Sequence, residues 1–137
     1  MIREVGYRYQ GLVSVFESRL LANEFEADLL QLSERGGSAA KARTFLHRWG
    51  LIGRSCHSRA QVDAAAADPD VNFLTVGPAF AGTPGAGSGL DLLRHAAAVL
   101  PPGDVEAKPW FAVGGITATN LDEVLAAGAR RVTVSRA

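Results

Sequence analysis

Residues 110–137 read WFAVGGITATNLDEVLAAGARRVTVSRA. The run Trp110–Gly114 (WFAVG) is apolar and ends on a glycine pair, the pattern of a short buried strand. Soon after it, Asn120 and Glu123 have the spacing of a capping box that opens a helix, and Gly128 is placed to stop it. A second strand follows at Arg131–Ser135 (RVTVS). Two strands separated by one helix predict a parallel pair, because a parallel return needs a crossover.

The same unit repeats back to Ala27. The strand candidates are Asp28–Leu32, Leu51–Ser55 and Val71–Val76, so with the two above about five βα units are expected. Near-continuous apolar runs fit parallel strands covered on both faces. Ser38 opens a helix with Ala42, Phe45, Leu46 and Trp49 on one face, closed by Gly50. Ser58 with Gln61 predicts another capping box, on a helix that runs into Asp68-Pro69. Leu90–Leu100 is apolar at Leu90, Leu93 and Ala97 and stops at Pro101-Pro102. Residues 1–26 do not show the unit. Ser14 with Glu17 has helix-capping spacing, with a helix through Ala22, while Leu20–Glu24 also reads as a strand remnant. An open doubly wound sheet and a barrel both satisfy this pattern, and periodicity does not separate them.

Composition narrows the function classes. The chain has 137 residues, which suits one domain, and a charge balance of 14 basic against 14 acidic residues, which offers no footprint for nucleic acid. The single cysteine, Cys56, excludes an intrachain disulfide. The charged, aromatic start has no apolar h-region, and no run reaches the ~18 apolar residues of a membrane span, so the expected location is the cytoplasm.

Three stretches carry chemistry. Gly114-Gly115 before a helix start, and Ser135 one βα unit later, match the paired loops that hold phosphate in (β/α)₈ barrels; the plain alternative is a tight turn. Gly53–Ser58 (GRSCHS) lies where a strand meets a helix, and there Ser55 and His57 are offered to a ligand, with His57 suited to proton transfer near neutral pH. The plain alternative is a capping Ser58 beside an incidental histidine. Gly77–Gly89 (GPAFAGTPGAGSG) reads as a lid or a surface loop and lacks the lysine of a P-loop. His47 and His95 read as surface or capping residues, and no metal-ligand spacing is present.

These stretches together resemble the family of thiamine phosphate synthases and thiazole tautomerases (TenI-type proteins). The shared patterns are Gly53–His57, Val76–Phe80, Gly114–Ala129 and Val132–Ser135, and Ala27–Arg43 resembles the family's fourth strand and following helix. The resemblance implies an α/β fold of the (β/α)₈ TIM-barrel type, apparently truncated, with residues 27–137 forming the partial barrel. It implies a thiazole phosphate ligand, held at Gly114, Gly115 and Ser135. GRSxHS with the upstream Gln31-Leu32 resembles the tautomerase branch, which makes His57 the acid/base of a thiazole isomerisation, with Ser55, Gln31 and Thr83 as substrate contacts. The synthase alternative couples the thiazole phosphate to a pyrimidine diphosphate with Mg²⁺. Against it, the family's metal-binding aspartate falls at Gly36, and Ala81–Gly85 replaces the lid motif that carries a lysine. No cofactor other than that Mg²⁺ is implied. A non-catalytic member of the family and a different phosphate-binding barrel complete the alternatives. Since a whole barrel takes roughly 200 residues or more, the expected remedy is a homo-oligomer or a partner chain that completes it.

Overall fold

The computed structural model describes residues 2–80 and 89–135. Six strands form one parallel sheet in sequential order: β1 Ser14–Phe16, β2 Leu29–Leu32, β3 Leu51–Cys56, β4 Phe73–Val76, β5 Trp110–Val113 and β6 Val132–Thr133. Helices lie between them: α1 Ile2–Tyr9 precedes β1, followed by α2 Arg19–Glu24, α3 Ala39–Arg43, α4 Arg59–Ala67, α5 Leu90–Val99 and α6 Leu121–Ala126. Sequential order with one helix per crossover is the arrangement of a (β/α) half-barrel, since a doubly wound sheet reverses strand order partway.

The sheet has two unlike faces. Leu30, Leu32, Ile52, Cys56, Leu74, Val76, Trp110 and Ala112 are almost wholly buried and pack with Val62, Leu93, Ala96 and Val124 of the helices. The alternate positions Gln31, Ser55, Phe73, Thr75, Phe111 and Val113 are only partly buried, and they form the concave face. On that face Phe73 and Phe111 meet edge to face at 6.1 Å. Phe16 remains 62% exposed and Leu51 41%, so an apolar stretch of the concave side is open.

The N-terminal segment departs from the sequence expectation. Ser14–Phe16 is the first strand, pairing with Leu29–Gln31, and not a helix start. Ser18 caps the helix instead, its hydroxyl accepting from Leu21 N–H, and Leu20–Glu24 lies within α2 rather than in a strand. The β-branched Val13 and Val15 suit an extended chain, and Val13 N–H donates to the Asp28 carboxylate at 2.7 Å, which fixes the strand's start. The sheet thus has six strands where five were legible.

Other boundaries follow local chemistry. The Ser38 and Ser58 hydroxyls accept from Lys41 and Gln61 N–H, as their spacing predicts. After Ser38 the helix is only five residues long, and Trp49 stays 72% exposed rather than joining its inner face. Asn120 does not cap α6; its side chain accepts from Thr117 N–H and donates to the Gly115 carbonyl, bracing the loop before the helix. Gly128 has φ +100°, the left-handed stop expected of it. No helix among the described residues is long and apolar enough to cross a membrane.

Candidate functional site

The chemistry-bearing positions gather at one end of the sheet, where all six strands finish. Gln31 precedes the last residue of β2, Ser55 and His57 flank the end of β3, and Gly77 follows β4. Gly114-Gly115 follow β5, and Ser135 comes two residues after β6. Parallel register makes this inevitable, because every strand leaves the sheet on the same side.

On the concave face three polar side chains form a closed triangle. The Gln31 amide donates to Ser55 Oγ at 3.0 Å and to Thr75 Oγ1 at 3.1 Å, and Thr75 donates to Ser55 at 3.2 Å. Gly53 makes room for it: a Cβ there would lie 2.2 Å from Gln31 Oε1 and 2.3 Å from Phe73 Cζ. Sequence reasoning singled out Gln31 and Ser55 but missed Thr75. Its signal was its place at the second position from the end of an apolar strand, facing the same way as Ser55.

His57 is held from two directions. Its Nδ1 lies 2.6 Å from the Gly77 carbonyl, which only accepts, so the ring carries its proton on Nδ1 there. Its Nε2 faces the Glu34 carboxylate at 3.4 Å, and its backbone N–H donates to Gln61 Oε1 at 2.6 Å. The Gln61 side chain thus closes onto the residue before the cap, not onto Ser58 itself. Glu34 and the Gly77 carbonyl were not among the expected site groups, since neither belongs to a motif and both meet His57 only through the fold.

The loop that carries Glu34 is clamped by charged side chains. The Glu17 carboxylate accepts from Ser33 N–H, Arg54 donates to the Ser33 and Gly37 carbonyls at 2.9 and 2.6 Å, and Arg19 donates to the Gly36 carbonyl at 2.7 Å. The Ser33 hydrogen bonds, helped by Arg54 and Arg19, hold the Glu17 carboxyl below the usual carboxylate range against a smaller effect of burial. Gly36 and Gly37 are required by this grip: a Cβ on Gly36 would meet Glu17 Oε1 at 2.9 Å, and Gly37 has φ +74° with Arg19 pressed against it. A cavity of about 400 Å³ opens beside the loop, lined in part by Glu34, Arg54 and Ser55.

The glycine pair after β5 sits close to the end of β4. Gly114 (φ +95°) and Gly115 (φ +65°) leave no room for side chains, because Pro78 and Phe80 occupy that space. Phe80 N–H donates to the Gly114 carbonyl at 3.1 Å. Pairing of Val113 with Thr133 sets Gly114-Gly115 beside Val134-Ser135, and Gly115 and Ser135 are both exposed. The expected phosphate residues thus follow the ends of two adjacent strands. Thr83 and most of the Gly77–Gly89 loop lie outside the described residues.

Cys56, His95 and His47 have local structural partners or burial. Burial pushes the Cys56 thiol up to about 11, which favours its protonated form. His95 pairs with Asp63 at 2.7 Å between α5 and α4, and His47 accepts from Trp49 N–H. Among the described residues no three His, Cys, Asp or Glu side chains are grouped to hold a metal ion. Gly36, where the family's metal-binding aspartate would stand, has no side chain to offer, and the nearby Glu17 is engaged with Ser33. The described residues therefore do not fit the Mg²⁺ site of the synthase.

Comparison with known proteins places these features. A family model described as thiamine monophosphate synthase matches residues 1–137. The chain is 41% identical over 133 residues to a thiamine-phosphate synthase of Streptomyces avermitilis, covering 95% of this chain and 60% of that protein. It is 39% identical over 142 residues to a thiamine-phosphate synthase of Thermobifida fusca, covering the whole chain and 62% of the relative. Among solved structures, a thiamine phosphate pyrophosphorylase from Pyrococcus furiosus superposes with a TM-score of 0.76 at 25% identity, covering 97% of this chain and 61% of that one. The chain thus spans about three-fifths of the length of the relatives it matches.

Proposed function

Because the chain belongs to the thiamine monophosphate synthase family, we propose that it provides the thiazole-phosphate side of a thiamine phosphate synthase site. The observation that supports this reading is that the Gly114-Gly115 and Val134-Ser135 loops follow strands that pair as neighbours, Val113 opposite Thr133. Backbone N–H groups at Gly114 and Gly115, with the Ser135 hydroxyl, supply hydrogen-bond donors to a phosphate. The Gln31–Ser55–Thr75 triangle lies farther round the same rim and faces the ring of the bound thiazole.

The sequence resemblance put isomerisation first and coupling second. The relatives reverse that order, since those compared carry the synthase name. Coupling with a pyrimidine diphosphate is therefore the leading whole-protein reading. The missing donor at Gly36 predicts that these residues alone do not hold the Mg²⁺ that accompanies the pyrimidine diphosphate. The same reading gives a cytoplasmic protein that works as a homo-oligomer or with a partner chain, which covers the exposed Phe16 and Leu51. A shift from assembled to monomeric mass on Phe16→Asp, measured by light scattering, would support that part.

One observation favours isomerisation as a second reading: His57 is oriented at both ring nitrogens. Calorimetric titration with thiazole phosphate, with inorganic phosphate as control, tests the leading reading. Saturable binding of the thiazole, weakened at least tenfold by Ser135→Ala, is expected. Equal binding of the two ligands, or none in a folded sample, would sink it. Unchanged isomerisation of thiazole carboxylate phosphate by His57→Ala would remove the second reading.

A further inference from the structure

We infer that a cavity beside α1, at the end of the sheet opposite the candidate site, binds a small aromatic cation. The strands begin at that end: Val13 stands just before β1, Asp28 just before β2 and Trp49 two residues before β3. Together with α1 these strand starts line a cavity of about 700 Å³. Small-molecule sites commonly measure roughly 300–1,000 Å³. The thiazole-phosphate reading makes no use of this cavity.

Its walls are aromatic, and its one unbalanced charge is negative. Tyr7 of α1 and Trp49 both line it and are 73% and 72% exposed. Arg3 lines it too, but it is paired with Glu26. His47 Nδ1 accepts from Trp49 N–H at 3.2 Å, so that nitrogen carries no proton and the ring is neutral. Asp28 remains. Its Oδ2 accepts from Val13 N–H at 2.7 Å, and no donor among the described residues reaches its other oxygen. A half-buried carboxylate with a free oxygen favours a cation that carries N–H donors. The aromatic walls favour a flat one. Trp49 already takes such a group: the exposed Arg48 guanidinium, which does not line the cavity, lies 4.5 Å from its ring centroid. The charge of Asp28 also repels a phosphate, so this cavity does not duplicate the anion site at the other rim.

The probe is benzamidine, an aromatic amidinium, set against benzamide, its neutral analogue of nearly the same shape. Titration of the full ¹⁵N-labelled chain is followed through its two tryptophan indoles. The Trp49 resonance is expected to move saturably with benzamidine, while that of the buried Trp110 stays. Benzamide is expected to bind about tenfold more weakly or worse. Asp28→Asn keeps an oxygen for Val13 N–H and removes the charge, and it is expected to weaken benzamidine binding about tenfold. Should that variant fail to fold, Trp49→Ala, at an exposed position, replaces it, with Val13 N–H as the reporter and the same loss expected. An unmoved Trp49 resonance, an equal response to benzamide, or undiminished affinity in the variant overturns the cation site. A Trp49 resonance that moves with chain concentration and not with benzamidine assigns the cavity to a second copy of the chain, and overturns it too.

Discussion

Gly77→Ala is the sharpest test of how the site is built. Gly77 follows β4, and a Cβ there would lie 2.2 Å from the Val113 carbonyl oxygen and 2.9 Å from Val113 Cγ2. Ordinary contact begins at 3.4 Å, so the backbone of β5 or of Gly77 must yield by about 1 Å. The obstructing atom is backbone in a paired strand and cannot swing away. A shift of that size stretches the Gly77 N–H bond to Cys56 (3.1 Å) and the Ala79 N–H bond to Val113 (2.7 Å). Two lost hydrogen bonds at ~0.5–1.5 kcal/mol each, plus ~1–3 kcal/mol of overpacking, give a destabilisation of roughly 2–6 kcal/mol. For a chain of this size that lowers the melting temperature by about 10–20 °C. Urea unfolding is the assay, followed through Trp110, which is 2% exposed and donates to the Leu100 carbonyl; Trp49, 72% exposed, changes little. Displacing the Gly77 carbonyl also frees His57 Nδ1, so the ring should lose its fixed tautomer. A stability loss below about 1 kcal/mol would refute the claim that the strand ends are packed this tightly.

Three further outcomes are expected. Glu17, ionised more readily than a free carboxylate, stabilises the Ser33–Ser38 loop fully above its ordinary value of 4.5 and loses that contribution as pH falls through its lower folded value. Amide exchange at Ser33 should therefore rise on acidification below that point, and Glu17→Gln should show the raised exchange already at neutral pH. Cys56, with its thiol pushed up to about 11, should resist iodoacetamide at neutral pH when folded and react in urea; labelling of the native chain contradicts its buried position. Gly53→Ala would collide with the ends of Gln31 and Phe73, and with both Gln31 hydrogen bonds lost it should cost roughly 1–3 kcal/mol in stability. It should also weaken thiazole phosphate binding by calorimetry, because Gln31 can no longer reach Ser55 and Thr75; unchanged binding would remove the triangle from the site.

The repeated unit from Ala27 onward was legible because parallel strands buried by helices are apolar runs, and the helices between them begin at Ser38 and Ser58 and stop at Gly128. β1 was not legible: SVF is three residues long, half-exposed, and becomes a strand through pairing with β2, which no local pattern announces. Ser14 and Glu17 matched a capping spacing by chance, and Ser18, one position beyond Glu17, took the role. In the site, Gln31, Ser55, His57 and the glycine pair stood in motifs. Thr75, Glu34 and the clamp of Glu17, Arg19 and Arg54 did not, because their partners lie 16 or more positions away in the chain. The glycine pair was matched to a phosphate loop; the structure adds that Pro78 and Phe80 fill the space a side chain would take at either glycine. Their positive φ angles serve the turn itself.

The sequential strand order also bears on how the chain folds. Each strand pairs with the one just before it, so every pairing closes a single helix-and-loop excursion and no contact waits on a distant part of the chain. The longest excursion, from Leu74 to Trp110, is less than twice that from Gly53 to Phe73, and a doubling of loop length costs only ~0.6 kcal/mol in closure entropy. No junction is then a dominant entropic bottleneck. Nucleation can begin at any neighbouring pair of strands and spread in both directions, with β3 and β4, whose inner faces share the apolar core, as the natural seed.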